Sequence, residues 1–495
     1  MKIITLFSVI TTSLMIVSCA EKAKMGEKPN IVFIMSDDHG WQAIGAYGSK
    51  ITKTPNIDRL AEKGVLFQNC YVTNSICAPS RAVILTGKHS HLNGVRDNYH
   101  SFDSSLVTFP KLLQQGSYET ALFGKWHLKS TPSGFDHYEI LPGQGSYYNP
   151  DFIRNGVKVK YEGYSTNIIT EKGLDWIQNR KQKDKPFLLL MQYKAPHTPW
   201  LTDIPFFNWN YVDSIAEPAS FFDDHKGKSS AVKNHDLTIA GKFDDMRLHL
   251  INPEEAQMSE AQRAAWQSAY QNENDWFKRA NLSGNELIRW KYQRFIKEYL
   301  RTVHVIDMNV GRIQQFLKEN HLEENTVIVY TSDQGFFLGE HGFYDKRLMY
   351  QPAFKTPLII QWPSAKRSGC IDNHLVSNLD FAETLLDIAG IDIPNEMQGI
   401  SLKPMLLGKE PETDRRSLYY HYYEDRPPWG FPKHEGIFDG RYKLIHFYTT
   451  DEWEFYDLDE DSLEIQNFYE NDDYQSKISS LKQELIKLKE KYKCE

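Results

Sequence analysis

Short, nearly unbroken apolar runs recur along this chain, and each ends abruptly in residues able to do chemistry. Asn30-Ile31-Val32-Phe33-Ile34-Met35 shows no polar alternation. That predicts a strand buried on both faces of a sheet, and it runs straight into Ser36-Asp37-Asp38-His39-Gly40. Residues 118–123 predict a second such strand, delivering Gly124-Lys125-Trp126-His127. A third, 187–192, delivers Ala195-Pro196-His197-Thr198-Pro199-Trp200, and a fourth, 326–330, delivers Ser332-Asp333-Gln334-Gly335. In open α/β sheets ligands bind at the carboxyl ends of the strands. Four coincident cases therefore predict one site along one sheet edge.

Between these runs the pattern alternates with helices. Thr54-Pro55 opens a short helix that Gly64 stops, 109–115 and 379–389 predict two more, and 65–72 and 356–362 predict further strands. From 287 to 317 an apolar stripe (Tyr292, Ile296, Tyr299, Val303, Ile306, Val310, Ile313, Leu317) falls at helical spacing and predicts one long helix packed on a core. Residues 201–285 carry weak periodicity and much Asp, Asn, Lys and Trp, which predicts an insertion lying over the site. After about residue 411 the pattern changes to short antiparallel strands at 418–423, 436–439, 442–447 and 454–458, with a hairpin turn at Asp439-Gly440. A last amphipathic helix carries Ile478, Leu481, Leu485 and Leu488. The fold class expected is α/β: a large mixed β-sheet flanked by helices over 29–410, with a smaller C-terminal α+β domain on an antiparallel sheet over 411–495.

Composition narrows the partners. With 57 Lys plus Arg against 65 Asp plus Glu, the formal charge is −8. No broad basic face is visible, so nucleic-acid binding is not expected and an anionic substrate would meet a few local cations. Lys2 followed by the apolar stretch 3–17 and then Ser18-Cys19 reads as an export segment. Ile16-Val17-Ser18-Cys19 is similar to a bacterial lipobox, which implies a lipid on Cys19; the alternative is an ordinary signal cut near Ala20. Residues 20–28 then form a polar tether. The expected location is outside the cytoplasm, in the periplasm or anchored to the outer membrane, with the membrane met only through that lipid. The five cysteines are Cys19, Cys70, Cys77, Cys370 and Cys494; whether any of Cys70, Cys370 and Cys494 pair is left open.

Cys77-Ala78-Pro79-Ser80-Arg81, followed by Leu85-Thr86-Gly87, places a cysteine just ahead of a short helix, where Pro79 suits the first helical position. Free N–H groups and Arg81 there favour an anion, either a thiolate or a bound oxyanion. Adjacent carboxylates Asp37 and Asp38, with Asp333 and the amide of Gln334, supply hard oxygen ligands for Ca²⁺ or Mg²⁺. Lys125, Lys346 and Arg81 supply fixed positive charge, and His127 and His197 can move protons. Together they suit transfer of a tetrahedral oxyanion group, sulfuryl or phosphoryl.

The Cys77–Gly87 and Gly124–His127 motifs resemble the type I sulfatases of the alkaline phosphatase superfamily, over residues from about 29 to the C-terminal domain. The resemblance implies that a maturation enzyme oxidises Cys77 to formylglycine, whose hydrated gem-diol is the nucleophile. It implies one Ca²⁺ held by Asp37, Asp38, Asp333, Gln334 and residue 77, with Gln334 standing where Asn is common. It further implies that Arg81 steadies the gem-diol, Lys125 and Lys346 hold sulfate oxygens, His197 is the leaving-group acid and His127 the base. The stretches 134–138, 143–150 and 345–350 are similar to bacterial N-acetylglucosamine-6-O-sulfatases acting on glycosaminoglycan or mucin glycans. An exo-acting sulfatase on a sulfated oligosaccharide is therefore expected, with Arg96, Asp345, Arg347, His421, Glu424 and His434 as candidate sugar contacts. The alternatives are another regiospecificity, a phosphohydrolase of the same superfamily, or a sulfated-glycan-binding lipoprotein without turnover.

Overall fold

A ten-stranded mixed sheet forms the centre of the computed structural model, which describes residues 28–494 apart from 210–213, 253–256, 412, 414 and 426–430. Its strands are β1 (Asn30–Ser36), β2 (Val65–Tyr71), β3 (Glu119–Lys125), β4 (His137–Leu141), β5 (Asp151–Arg154), β6 (Val157–Lys160), β7 (Phe187–Gln192) and β8 (Thr326–Ser332). A two-stranded ribbon, β9 (Phe337–Leu338) with β10 (Tyr344–Asp345), precedes the last two, β11 (Leu358–Gln361) and β12 (Cys370–Ser377). The order is β12-β2-β11-β8-β1-β7-β3-β4-β5-β6. The run β8-β1-β7-β3-β4 is parallel, whereas β11, β5 and β6 are antiparallel to their neighbours.

The unbroken apolar runs are explained by helices on both faces. Along β1, Ile31, Phe33 and Met35 enter one core, with the helices Cys77–Thr86, Phe109–Gln115 and Asp380–Ile388. Val32 and Ile34 enter the other, against Pro55–Lys63, Ser165–Asn179 and the C-terminal half of the long helix. That helix spans Gly284–Glu319, and its N-terminal half carries Tyr292, Phe295, Tyr299 and Val303 into a third cluster. Phe221, Leu237 and Phe243 of the 201–285 stretch pack there, which ties this stretch to the long helix.

A four-stranded antiparallel sheet follows: β13 (Leu418–Tyr422), β14 (His434–Phe438), β15 (Tyr442–Phe447) and β16 (Glu452–Asp457). The Gln475–Lys491 helix covers one face through Ile478, Leu481, Leu485 and Leu488. The other face packs on Tyr71 and Phe354 of the large sheet's periphery through Tyr420 and Phe438. The segment 1–27, with Cys19 and most of the tether, lies outside the described residues. Cys70, Cys77, Cys370 and Cys494 are all free thiols.

One glycine fixes the path of β3 into the site. Gly124 has φ +105°, and a Cβ there would meet the Gln192 carbonyl oxygen of β7 at 2.0 Å. Gly124→Ala is expected to cost about 2–4 kcal/mol of stability, through strain and overpacking. Thermal unfolding followed by circular dichroism checks this; an unchanged midpoint would show that β3 and β7 can separate freely.

Candidate active site

The polar residues following β8, β1, β7 and β3 meet at one edge, as the four apolar runs predict. Register does part of this. β1 and β8 align Ser36 with Ser332, so the next residues, Asp37 and Asp333, sit side by side. The Asp38 N–H donates to Asp333 Oδ1 at 3.1 Å. Oxygens of Asp37, Asp38 and Asp333 all lie within 4.8 Å of one another, and all three residues are buried.

Cys77 is itself the first residue of the Cys77–Thr86 helix, with Ile76 as N-cap and Pro79 in the third position, which corrects the expected start by two residues. All ten residues of the helix are buried, so it is gripped on every side. The Cys77 thiol donates to Asp37 Oδ1 at 3.3 Å. Burial, with the Asp37 charge beside it, pushes the thiol well above its ordinary pKa. Of the two anions the sequence leaves open, a thiolate or a bound oxyanion, the thiolate is disfavoured in an unmodified chain, because burial outweighs the helix terminus and the nearby cations.

Arg81 binds Asp333 Oδ2 through Nε (3.0 Å) and Nη2 (2.9 Å), and gives Nη1 to the Lys125 carbonyl (2.8 Å) and Gln192 Oε1 (3.0 Å). Its Nη2 is 3.7 Å from Asp37 Oδ1. Lys125 Nζ bonds Asp37 and Gln144, and Lys346 Nζ donates to both oxygens of Asp38 at 2.7 and 2.6 Å. Burial pushes the Asp37 carboxyl up, but Lys125 above all, with Arg81 and Lys346, outweighs it and holds it well below the usual range. Asp38 is raised to about 6, by burial and then by Asp37 against the pull of Lys346. Asp333 is raised to about 7, by burial and the charge of Asp37. Three cations thus leave the cluster short of positive charge.

The donor set fits a hard divalent cation. Gln334 Oε1 is buried with no hydrogen-bond partner, beside three convergent carboxylates, and oxygen ligands of this kind suit Ca²⁺. Sulfur is a poor ligand for such an ion, so residue 77 matches it only once an oxygen replaces the thiol.

His197 Nδ1 donates to the Thr198 carbonyl at 2.9 Å, which leaves Nε2 facing the site, 3.8 Å from Asp38 Oδ2. His127 follows β3 with φ 56°, and its Nδ1 is buried without a partner. Burial first, and Lys125 next, hold both imidazoles well below their usual pKa, which favours their neutral forms.

Above these groups lies a cavity of about 320 Å³ lined by Asp38, His127, His197 and Lys346, together with three predicted sugar contacts, Asp345, Arg347 and Glu424. Arg96 and His421 line a second cavity instead. His434 lines neither, which corrects that expectation. It is fully buried in β14 among Tyr420, Tyr422 and Phe447, with Nδ1 on the Pro432 carbonyl, and serves as core. Asn98, Tyr99, Lys129, Gln144 and Arg247 also line the catalytic cavity. Of these, Gln144 lies in a loop singled out by the sequence for its resemblance alone, and Lys129 lies two residues past His127.

A family model described as Sulfatase matches residues 29–391, and one described as N-sulphoglucosamine sulphohydrolase, C-terminal, matches 339–491. The chain is 43% identical to an N-acetylglucosamine-6-O-sulfatase of Bacteroides thetaiotaomicron, across 97% of this chain and 90% of that protein. It superposes with a TM-score of 0.91, at 42% identity and covering 94% of this chain and 98% of the other, on a solved structure in complex with its substrate D-glucosamine-2-N,6-O-disulfate. A phosphonate monoester hydrolase of Agrobacterium radiobacter matches at a TM-score of 0.71 and 20% identity, over 94% of this chain and 96% of that one, a likeness of fold alone.

The raised carboxyls predict how stability responds to pH and Ca²⁺. Asp38 and Asp333 bind protons more tightly folded than unfolded, so in metal-free protein their contribution falls as pH rises from about 4 through about 6 and 7. Ca²⁺ needs them ionised. Its thermal stabilisation is expected to be larger at pH 7.5 than at pH 5, by differential scanning fluorimetry, and a larger shift at pH 5 would contradict the assignment.

Proposed function

Since the chain belongs to the sulfatase family, we propose that it removes the 6-O-sulfate from a glucosamine-type sugar at the end of a sulfated glycan. The observation that carries this reading is the 43% identity, over 97% of this chain, to an N-acetylglucosamine-6-O-sulfatase. The cavity of about 320 Å³ supports an exo mode of action, since it lies near the small end of ligand pockets and suits one ring.

Asp37, Asp38, Asp333 and Gln334 would hold Ca²⁺, which when bound draws negative charge from the sulfate oxygens, while formylglycine at position 77 would supply a hydrated hydroxyl as nucleophile. Around them the chain's own residues divide the work. Arg81 locks Asp333 to the buried helix and so fixes residue 77 relative to the carboxylates. Lys346, paired with Asp38, and Lys125, paired with Asp37, stand ready to accept sulfate oxygens once a cation takes over their carboxylates. His197 presents Nε2 to the pocket; the anionic ester raises its proton affinity, and the proton at Nε2 goes to the departing sugar oxygen. His127, held neutral by burial, would accept a proton from the residue 77 hydroxyl. The Cys19 motif supports an exported, lipid-anchored enzyme, matured by a separate enzyme acting on Cys77.

Chromatographic sulfate release tests the reading. The Ca²⁺-loaded, matured enzyme is expected to act on 6-O-sulfated N-acetylglucosamine at least about tenfold faster than on the 3-O- or 4-O-sulfated sugar, the factor worth ~1.4 kcal/mol of transition-state binding. Equal rates would overturn the regiochemistry, and no release from any of them would overturn the assignment to sulfate esters. His197→Ala is expected to lower kcat on the sugar by about 10²–10⁴. The loss is expected to be far smaller on an aryl sulfate, whose leaving group departs without a proton; equal losses would remove His197 from the acid role.

A further inference from the structure

A second, larger cavity of about 740 Å³ lies beside the catalytic pocket, and Glu424 lines both. The partition between them is thin. From one loop, Asn98 and Tyr99 face the catalytic pocket while Arg96, Asp97 and His100 face the larger cavity. The Asn98 N–H donates to Glu424 Oε2 at 3.2 Å, closing loop and sheet together at the join. The far wall belongs to the four-stranded sheet and the segments beside it, through His421, Glu435, His446 and Tyr448.

This wall is built for a sugar ring and an anion. The His421 ring stacks on Tyr423 with centroids 3.7 Å apart and planes at 21°, and its Nε2 lies 3.0 Å from the Tyr448 hydroxyl. Tyr448 remains 36% exposed, a large apolar face turned outward. Aromatic faces of this kind bind the apolar faces of pyranose rings, with hydroxyls left for the polar rim. The lysines of the cavity are paired, Lys489 with Glu435 at 2.8 Å and Lys433 with Asp425 at 3.1 Å, and His100 Nδ1 lies 2.6 Å from Asp97 Oδ1. Arg96 is the exception. Its guanidinium lies over the Tyr423 ring at 5.7 Å, and it forms no ion pair with a carboxylate among the described residues. Burial above all holds His421 well below its usual pKa, and Asp97, Glu424, Asp425 and Glu435 share the cavity lining with Arg96, Lys433 and Lys489.

We propose that this cavity is a second glycan subsite, holding the one or two sugars that follow the terminal sulfated sugar, with Arg96 meeting a carboxylate or sulfate group on them. The inference rests on the sulfatase reading and extends it from a single ring to an anionic oligosaccharide. The volume is more than twice that of the catalytic pocket, at about 740 against 320 Å³, which gives room for about two rings. Binding energy gathered there positions the terminal sugar and raises kcat/KM on longer substrates.

The test compares kcat/KM of the matured enzyme on 6-O-sulfated N-acetylglucosamine and on two tetrasaccharides ending in that sugar. One tetrasaccharide is neutral beyond the first ring; the other carries a uronate there, with a sulfate-bearing version as a third arm to separate the two anions. The anionic tetrasaccharides are expected to exceed the monosaccharide by about tenfold or more, an advantage that Tyr448→Ala and Arg96→Ala each cut about tenfold. Equal kcat/KM on monosaccharide and tetrasaccharides, or an advantage that neither substitution changes, overturns the subsite and leaves the sulfatase reading standing. An equal gain from the neutral tetrasaccharide overturns the part given to Arg96. Calorimetric binding of the desulfated anionic tetrasaccharide to the whole enzyme gives a readout independent of turnover. Binding that Tyr448→Ala abolishes supports the subsite even where no sulfate is released, and that combination overturns the sulfatase reading instead.

Discussion

Three carboxylates buried within reach of one another are the constraint on which this molecule depends. Two come from the end of β1 and one from the end of β8, and the parallel register that makes those strands a sheet also brings Asp37 and Asp333 together. Nothing in a hydrophobic interior tolerates such a cluster without compensation. The rest of the site answers that demand: Arg81 on a helix buried on every side, Lys125 at the end of β3, and Lys346 just past β10. Even so, Asp38 and Asp333 stay raised, and Gln334 Oε1 stays without a partner. The chemistry left to fill is that of a divalent cation with oxygen ligands.

The same charge pattern explains why a cysteine stands at position 77 without acting as a thiolate. Buried against Asp37, its thiol is pushed well above its ordinary pKa, which fits the proposed conversion of the residue to formylglycine. Coordination chemistry agrees, since a hydrated aldehyde offers the ion oxygen where a thiol offers sulfur.

Much of this was legible in the chain because central parallel strands cannot alternate. β1, β3, β7 and β8 are each buried on both faces, so their sequences stay apolar until they reach the site. Less legible were β5 and β6, which are short, antiparallel and half in solvent at the sheet's edge. The Glu260–Ala280 helix was hidden because it buries only Trp266, Tyr270 and Asn274 among 21 residues, too narrow a stripe to show as a period. His434, named as a candidate sugar contact, instead hydrogen-bonds a carbonyl and packs among aromatic rings, because the strand begins at His434 itself rather than at 436. Arg247 was out of reach, since it arrives at the catalytic cavity from a stretch whose path is set by packing on the long helix.

The account stands or falls on residue 77. The most direct measurement prepares samples matured to different extents, weighs the peptide spanning that residue, and measures specific sulfate release from each with Ca²⁺ present. The account predicts release proportional to the fraction of chains carrying the aldehyde, with none from chains that retain the thiol. Activity in a sample whose residue 77 is entirely cysteine, or a fully converted sample that releases no sulfate from any sulfated sugar, would contradict it.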